Sequence, residues 1–236
     1  MPLYSNDNQN ATFIKISNGK LVIDTPYEPD NKPADNAFYY KAEKGTPKWR
    51  QAFSNLIATF QSITVRDSDY GPAFNLRLTD DEGNVFILQV KSDAPHAANI
   101  IGSLSYLNST NDIKISVWGT KIPDSQNVFN NVMVQTLNDK NEWVNVNNHF
   151  LIIKKGEPLK YINDFPAPKK TNLSKMEKDI LKNERALFLL TYVAEKYQSN
   201  VTSQAPKPAV TTAAPVTAPV AAPVTTTVPV EEELPF

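Results

Sequence analysis

Ala73-Phe74-Asn75-Leu76-Arg77-Leu78-Thr79 and Val85-Phe86-Ile87-Leu88-Gln89-Val90-Lys91, joined through Asp81-Glu82-Gly83-Asn84, decide the fold. Side chains alternate across a strand, so Phe74, Leu76 and Leu78 share one face and leave Asn75 and Arg77 on the other. In the partner strand Phe86, Leu88 and Val90 oppose Ile87, Gln89 and Lys91, and the Asp-Glu-Gly-Asn run between them reads as a hairpin turn. Upstream, residues 56–66 read as one long strand in which Ile63 and Val65 oppose Thr64 and Arg66, and residues 67–72 turn it into the hairpin. Downstream, Asp93 is placed as a helix N-cap with Pro95 in the first turn. The spacing of Ile100, Ile101, Leu104 and Leu107 predicts a helix to about Asn108. Residues 112–121 form a fourth strand, with Ile113, Ile115 and Val117 against Lys114, Ser116 and Trp118, and residues 128–137 a fifth. Residues 138–141 turn the chain into 143–146, and 150–154 read as a further strand.

Three strands, a helix and two strands, with short turns, is the order of the OB-fold, a five-stranded Greek-key β-barrel; other β-barrels and sandwiches share the pattern. The expected class is therefore mostly β, with three additions. An N-terminal hairpin pairs residues 12–17 with 20–24 through Asn18-Gly19. Residues 25–37 read as a loop, and 38–50 mix rings with bases. After a Pro-rich stretch, Ser174 and Glu177 form a capping box that opens a C-terminal helix over residues 173–197. Its later turns are apolar nearly all round, which predicts packing on the barrel, with an oligomer interface as the alternative. Residues 199–230 are almost entirely Ala, Val, Thr and Pro and predict an extended, disordered linker to an acidic tip at 231–236. The domain division is thus 1–198, 199–230 and 231–236.

The chain of 236 residues has a formal charge of −1 and no cysteine, which excludes disulfides, thiol catalysis and Cys-ligated metals. Without the tail the charge is about +1, too small to announce a nucleic-acid binder, so such a role needs a local basic patch. No apolar run approaches the ~20 residues of a membrane span and the start lacks a secretory pattern, so no membrane association and a cytoplasmic location are expected.

Catalysis finds little support. His96 and His149 lie in no metal or nucleophile motif, Gly71 and Gly83 are isolated turn glycines, and Asp67/Asp69 and Asp80/Asp81 sit in hairpin turns where Asp bonds its own backbone. The expectation is a non-enzyme with no cofactor and no metal. Binding fares better. Each central strand has an apolar side and an outer side with a cation: Arg66, Arg77, Lys91 and Lys114. Cations neutralise phosphates, and rings stack on bases at about 1–3 kcal/mol each, so the stacking candidates are Trp118, Tyr70, Tyr40 and Trp49. The same cations also serve solubility, and the same rings also pack.

Glu231-Glu232-Glu233-Leu234-Pro235-Phe236, behind its linker, resembles the tip of bacterial single-stranded DNA-binding proteins, which ends in acidic residues and Ile-Pro-Phe. The resemblance implies that the Phe236 ring enters an apolar pocket on a partner and its carboxylate meets a base there. Leu234 and Pro235 would accompany it, and Glu231, Glu232 and Glu233 would meet surrounding cations. The long N-terminal extension, the C-terminal helix and the Ala/Val/Thr/Pro linker are closer to bacteriophage-encoded members, located in the host cytoplasm, and leave homo-oligomerisation open. The implied function is coating single-stranded DNA, without strong sequence preference, in replication, recombination or repair, while recruiting replication and recombination proteins through the tip. RNA binding is the nearer variant. A viral adaptor or structural protein whose barrel binds protein or carbohydrate is the alternative.

Overall fold

In the computed structural model the described residues are 11–67, 71–108, 110–123, 125, 127–154 and 157–198. Tyr70, the linker and the tip Glu231–Phe236 expectations lie outside them. The elements are β1 (Thr12–Ser17), β2 (Lys20–Pro26), β3 (Phe38–Tyr40), β4 (Lys48–Phe53), β5 (Asn55–Arg66), β6 (Ala73–Thr79) and β7 (Val85–Lys91). Then come α1 (Ala97–Leu104), β8 (Asp112–Lys121), β9 (Val128–Leu137), β10 (Trp143–Asn145), β11 (Leu151–Ile152), β12 (Lys160–Tyr161) and α2 (Lys175–Val193). A π-helical turn, Ala194–Gln198, prolongs α2.

The two quoted strands are β6 and β7, paired antiparallel from Ala73↔Lys91 to Thr79↔Val85. β6 also pairs with β5, with a register shift between Phe60 and Ser62. β5 pairs with β8, and β8 with β9. These strands belong to one ten-stranded sheet in the order β10-β9-β8-β5-β6-β7-β1-β2-β4-β3. The expected closed barrel does not form, because the free edge of β7 is taken by β1. That pair is parallel, from Thr12↔Phe86 to Lys15↔Gln89, and it leads into the N-terminal hairpin and then β4 and β3.

The alternation read from sequence is the burial pattern observed in β6 and the first part of β8, whereas in β7 the outward Ile87 is buried and the inward Phe86 only half-buried. Phe74, Leu76, Leu78, Leu88, Ile113 and Ile115 are fully buried, and Ile14 and Leu21 of the added hairpin join the same core. α1 and the second half of α2 cover that side through Ile100, Ile101, Leu104, Leu189 and Val193. Phe150 holds the segment after β10 in place. Its ring stacks on Phe165 at 5.3 Å and meets Phe188 and Tyr192 edge-on at 5.5 and 4.9 Å, contacts worth about 0.5–1.5 kcal/mol each beyond area burial. The Ser174/Glu177 capping box is present, and the helix it opens packs on the body as expected. Met176 and Ile180 in its first half and Leu187 in its second remain exposed.

Three details differ from expectation. α1 starts at Ala97 with His96 at the N-cap and stops at Leu104; Asp93 is instead drawn into an ion pair with Lys182 of α2 at 2.7 Å. β3 and β4 form in the segment that sequence alone left unassigned. The 150–154 strand shrinks to β11, which pairs with β12.

The hairpin turn Asn18-Gly19 has φ of 49° and 71°, the left-handed pair that a two-residue hairpin requires. It also seats against β8 and β9. A Cβ on Gly19 would stand 2.2 Å from the Gly119 nitrogen, and the Gly19 N–H donates to Asn130 Oδ1 at 2.6 Å. The turn therefore bridges from the far side of β7 back to the β8–β9 arm without a ladder.

Candidate nucleic-acid interface

Register fixes which side chains share a face of the sheet. Following Ile57↔Lys114, Ser62↔Arg77↔Ile87↔Phe13, Asn75↔Gln89↔Lys15↔Val22 and Asp24↔Arg50↔Phe38 across the strands traces the side opposite the core. On it stand Lys15, Lys20, Lys48, Arg50, Arg66, Arg77, Lys91 and Lys114. Asp24 and Asp112 are the carboxylates there. Every charged residue of the sheet's ten strands lies on this side except Lys121, whose position in β8 puts it on the other.

Of the expected site residues, Arg66, Arg77, Lys91, Lys114, Trp118 and Tyr40 are thus brought to one side. Arg66 and Lys91 are exposed, Arg77 and Lys114 half-buried. Trp118 is 48% exposed and lines a cleft with Met133 that also takes in Tyr106 and, from α1, Asn99 and Ser103, so it stands where the charged side meets the helix. Trp49 is a correction: its register partners Thr25 and Tyr39 put it on the opposite face of the sheet. There its ring lies 5.0 Å from Tyr27 and its indole N–H donates to the Glu28 carbonyl at 2.8 Å. Trp49 packs locally and is dropped from the face.

Sequence reasoning missed Lys15, Lys20, Lys48 and Arg50, together with two exposed rings of the same side, Phe13 and Phe38. The alternation of residues 12–17 held part of the signal. The rest required knowing that β1 pairs with β7.

Asp24 organises the cations at the β2–β4 end. Arg50 donates to both of its oxygens, Nε at 2.7 Å and an Nη at 2.9 Å, and Lys15 Nζ approaches at 2.5 Å, with Lys48 at 3.8 Å. Burial pushes the Asp24 carboxyl up, but hydrogen bonds from Arg50 and Lys15 outweigh it and hold the group down at about 2. Asp24 and Arg50 side chains are each 9% exposed, whereas Lys15 and Lys48 keep much of their surface in water. The arrangement fixes one guanidinium rigidly and leaves ammonium groups accessible around it.

The histidines take no part. Burial holds His96 at about 4, so it is neutral at pH 7. His149 is lowered by burial and by Lys196, and it packs against Tyr106, Phe150 and Tyr192. Among the described residues there is no group of carboxylates and histidines that could hold a metal ion, and no helix is long and apolar enough to cross a membrane. No family model, curated protein or solved structure matches the chain.

Proposed function

We propose that the protein binds single-stranded DNA along the helix-free side of its sheet and coats it without strong sequence preference. The observation that carries this reading is the segregation of charge. Lys15, Lys20, Lys48, Arg50, Arg66, Arg77, Lys91 and Lys114 share one side with Asp24 and Asp112, in a chain whose net charge is −1. Phosphates are neutralised by such a surface, and Trp118, Phe13, Phe38 and Tyr40 offer rings to bases between the cations. The strand–strand–strand–helix–strand–strand order supports descent from an OB-type barrel in which the N-terminal hairpin has replaced the closing pair. Glu231–Phe236 would recruit replication or recombination proteins, consistent with their acidic and apolar composition.

The test is a titration of the full chain with fluorescent oligo-dT and with duplex of equal length, at two salt concentrations. The expected result is a clear preference for the single strand that weakens steeply with salt. Equal affinity for both, or none, overturns the reading and favours an adaptor that binds protein or carbohydrate. For the tip, deletion of residues 231–236 should leave oligo-dT binding unchanged or tighter and abolish capture of partners; weaker DNA binding would count against recruitment through the tip.

A further inference from the structure

A second site lies away from the charged side of the sheet, and its argument does not rest on the nucleic-acid reading. One face of α2 presents Lys178, Lys182 and Arg185 at spacings of four and three residues, interleaved with Leu181 and Leu189. Together with the chain around Ala94 and Phe165 these walls enclose a groove of about 470 Å³, the volume of a site for a single large side chain and its neighbours. Its floor is apolar and aromatic, with Leu151, Leu159, Tyr161 and Phe165.

Arg185 is built into this groove. Its Nε donates to the Pro166 carbonyl at 2.9 Å, and its guanidinium stands 4.8 Å from the Tyr161 ring centroid and 5.5 Å from that of Phe165. One Nη is enclosed with no acceptor among the described residues, and no carboxylate there pairs with Arg185. Lys178 is exposed at the rim without a carboxylate among the described residues. Lys182 is already paired with Asp93. The groove therefore combines an apolar floor with positive charge that the body does not neutralise.

We infer that this groove binds an acidic peptide segment carrying a large apolar residue, presented by a partner protein. The apolar side chain fills the floor among Leu151, Leu159, Leu181 and Leu189, beside the rings that Arg185 covers, and flanking carboxylates meet Lys178 and the Arg185 edge. A nucleic-acid strand also satisfies the cations and can lay a base on a ring. Most of this floor is aliphatic, however, with Leu151, Leu159, Leu181 and Leu189, and Phe165 is already covered by Phe150 and Arg185, which favours an apolar side chain. A small polar anion satisfies the cations but fills none of the apolar floor.

The experiment measures fluorescence anisotropy of a fluorescein-labelled Glu-Glu-Leu-Glu-Glu-Phe peptide with the full chain. The expected result is saturable binding, at least ten-fold weaker for a Gln-Gln-Leu-Gln-Gln-Phe control and at least ten-fold weaker with Lys178→Glu. Lys178 is exposed, so that variant keeps the fold; Arg185→Leu, checked for an unchanged melting temperature, should weaken binding as much. Equal affinity for the two peptides, no effect of Lys178→Glu, or displacement of the peptide by stoichiometric oligo-dT would each overturn the proposal, the last by making the groove part of a nucleic-acid path.

Discussion

The guanidinium of Arg50 lies 3.3 Å from the ring centroid of Tyr40, in van der Waals contact with one face of the ring. A guanidinium so placed has two engagements at once, since the same group binds both oxygens of Asp24. Arg50 thereby couples a nearly buried carboxylate to an aromatic platform, and one face of Tyr40 is already taken. Arg50→Ala leaves Asp24 enclosed without its main partner. It should lower stability by about 3 kcal/mol, read as a shift in the urea midpoint, and should free the Tyr40 ring.

Acid protonates the Asp24 carboxyl only at a lower pH than an ordinary exposed carboxylate, and that lowering ties the cluster to stability. The Asp24 pKa falls from 3.8 to about 2 on folding, so its contribution is fully present above pH 4 and is lost as pH falls from about 4 towards 2. Urea unfolding at pH 6 and pH 3 should show a loss of stability for the parent that is smaller in Asp24→Asn, whose side chain does not titrate.

Face assignment predicts a contrast within one strand. Lys114→Ala should weaken oligo-dT binding and flatten its salt dependence by about 0.7 in the log–log slope, the value of one phosphate contact on a single strand. Lys121→Ala, on the other side of β8, should change neither. Trp118→Ala should weaken binding with an unchanged far-UV spectrum, because nearly half of the ring is exposed.

The hairpin turn carries its own prediction. Gly19→Ala places a Cβ within 2.2 Å of the Gly119 backbone at a φ of +71°. Steric strain and the left-handed backbone together should cost about 3 kcal/mol, seen as a lowered melting temperature. The backbone on both sides cannot yield as a flexible side-chain end would.

How much of this was legible follows from what alternation encodes. A period of two gives faces, so the core positions in β5 to β8 and the outward Arg77, Lys91 and Lys114 were readable. Neighbours are another matter. Nothing in Thr12-Phe13-Ile14-Lys15 points to Phe86–Gln89, so the parallel pair and the cations it adds were hidden. β4 escaped because its buried residue is Arg50, whose carboxylate partner comes from β2; a polar residue at a covered position inverts the usual signal. Trp49 was misplaced for the same reason, since without a strand there was no face to assign. Asp93 looked like an N-cap locally and was claimed by Lys182, 89 positions away in sequence.

The parallel seating of β1 on β7 has a consequence for how the chain is made. β1 can pair with β2 as soon as both are made, but residues 12–14 find partners only at 86–88, so the β1–β2 hairpin has no edge of the sheet to join until the β6–β7 hairpin exists. Pairing over such a separation carries a large loop-closure cost and favours late docking. The β1–β2 hairpin is thus expected to be among the last of the described elements to settle, and the edge of β7 stays open to other chains until it does.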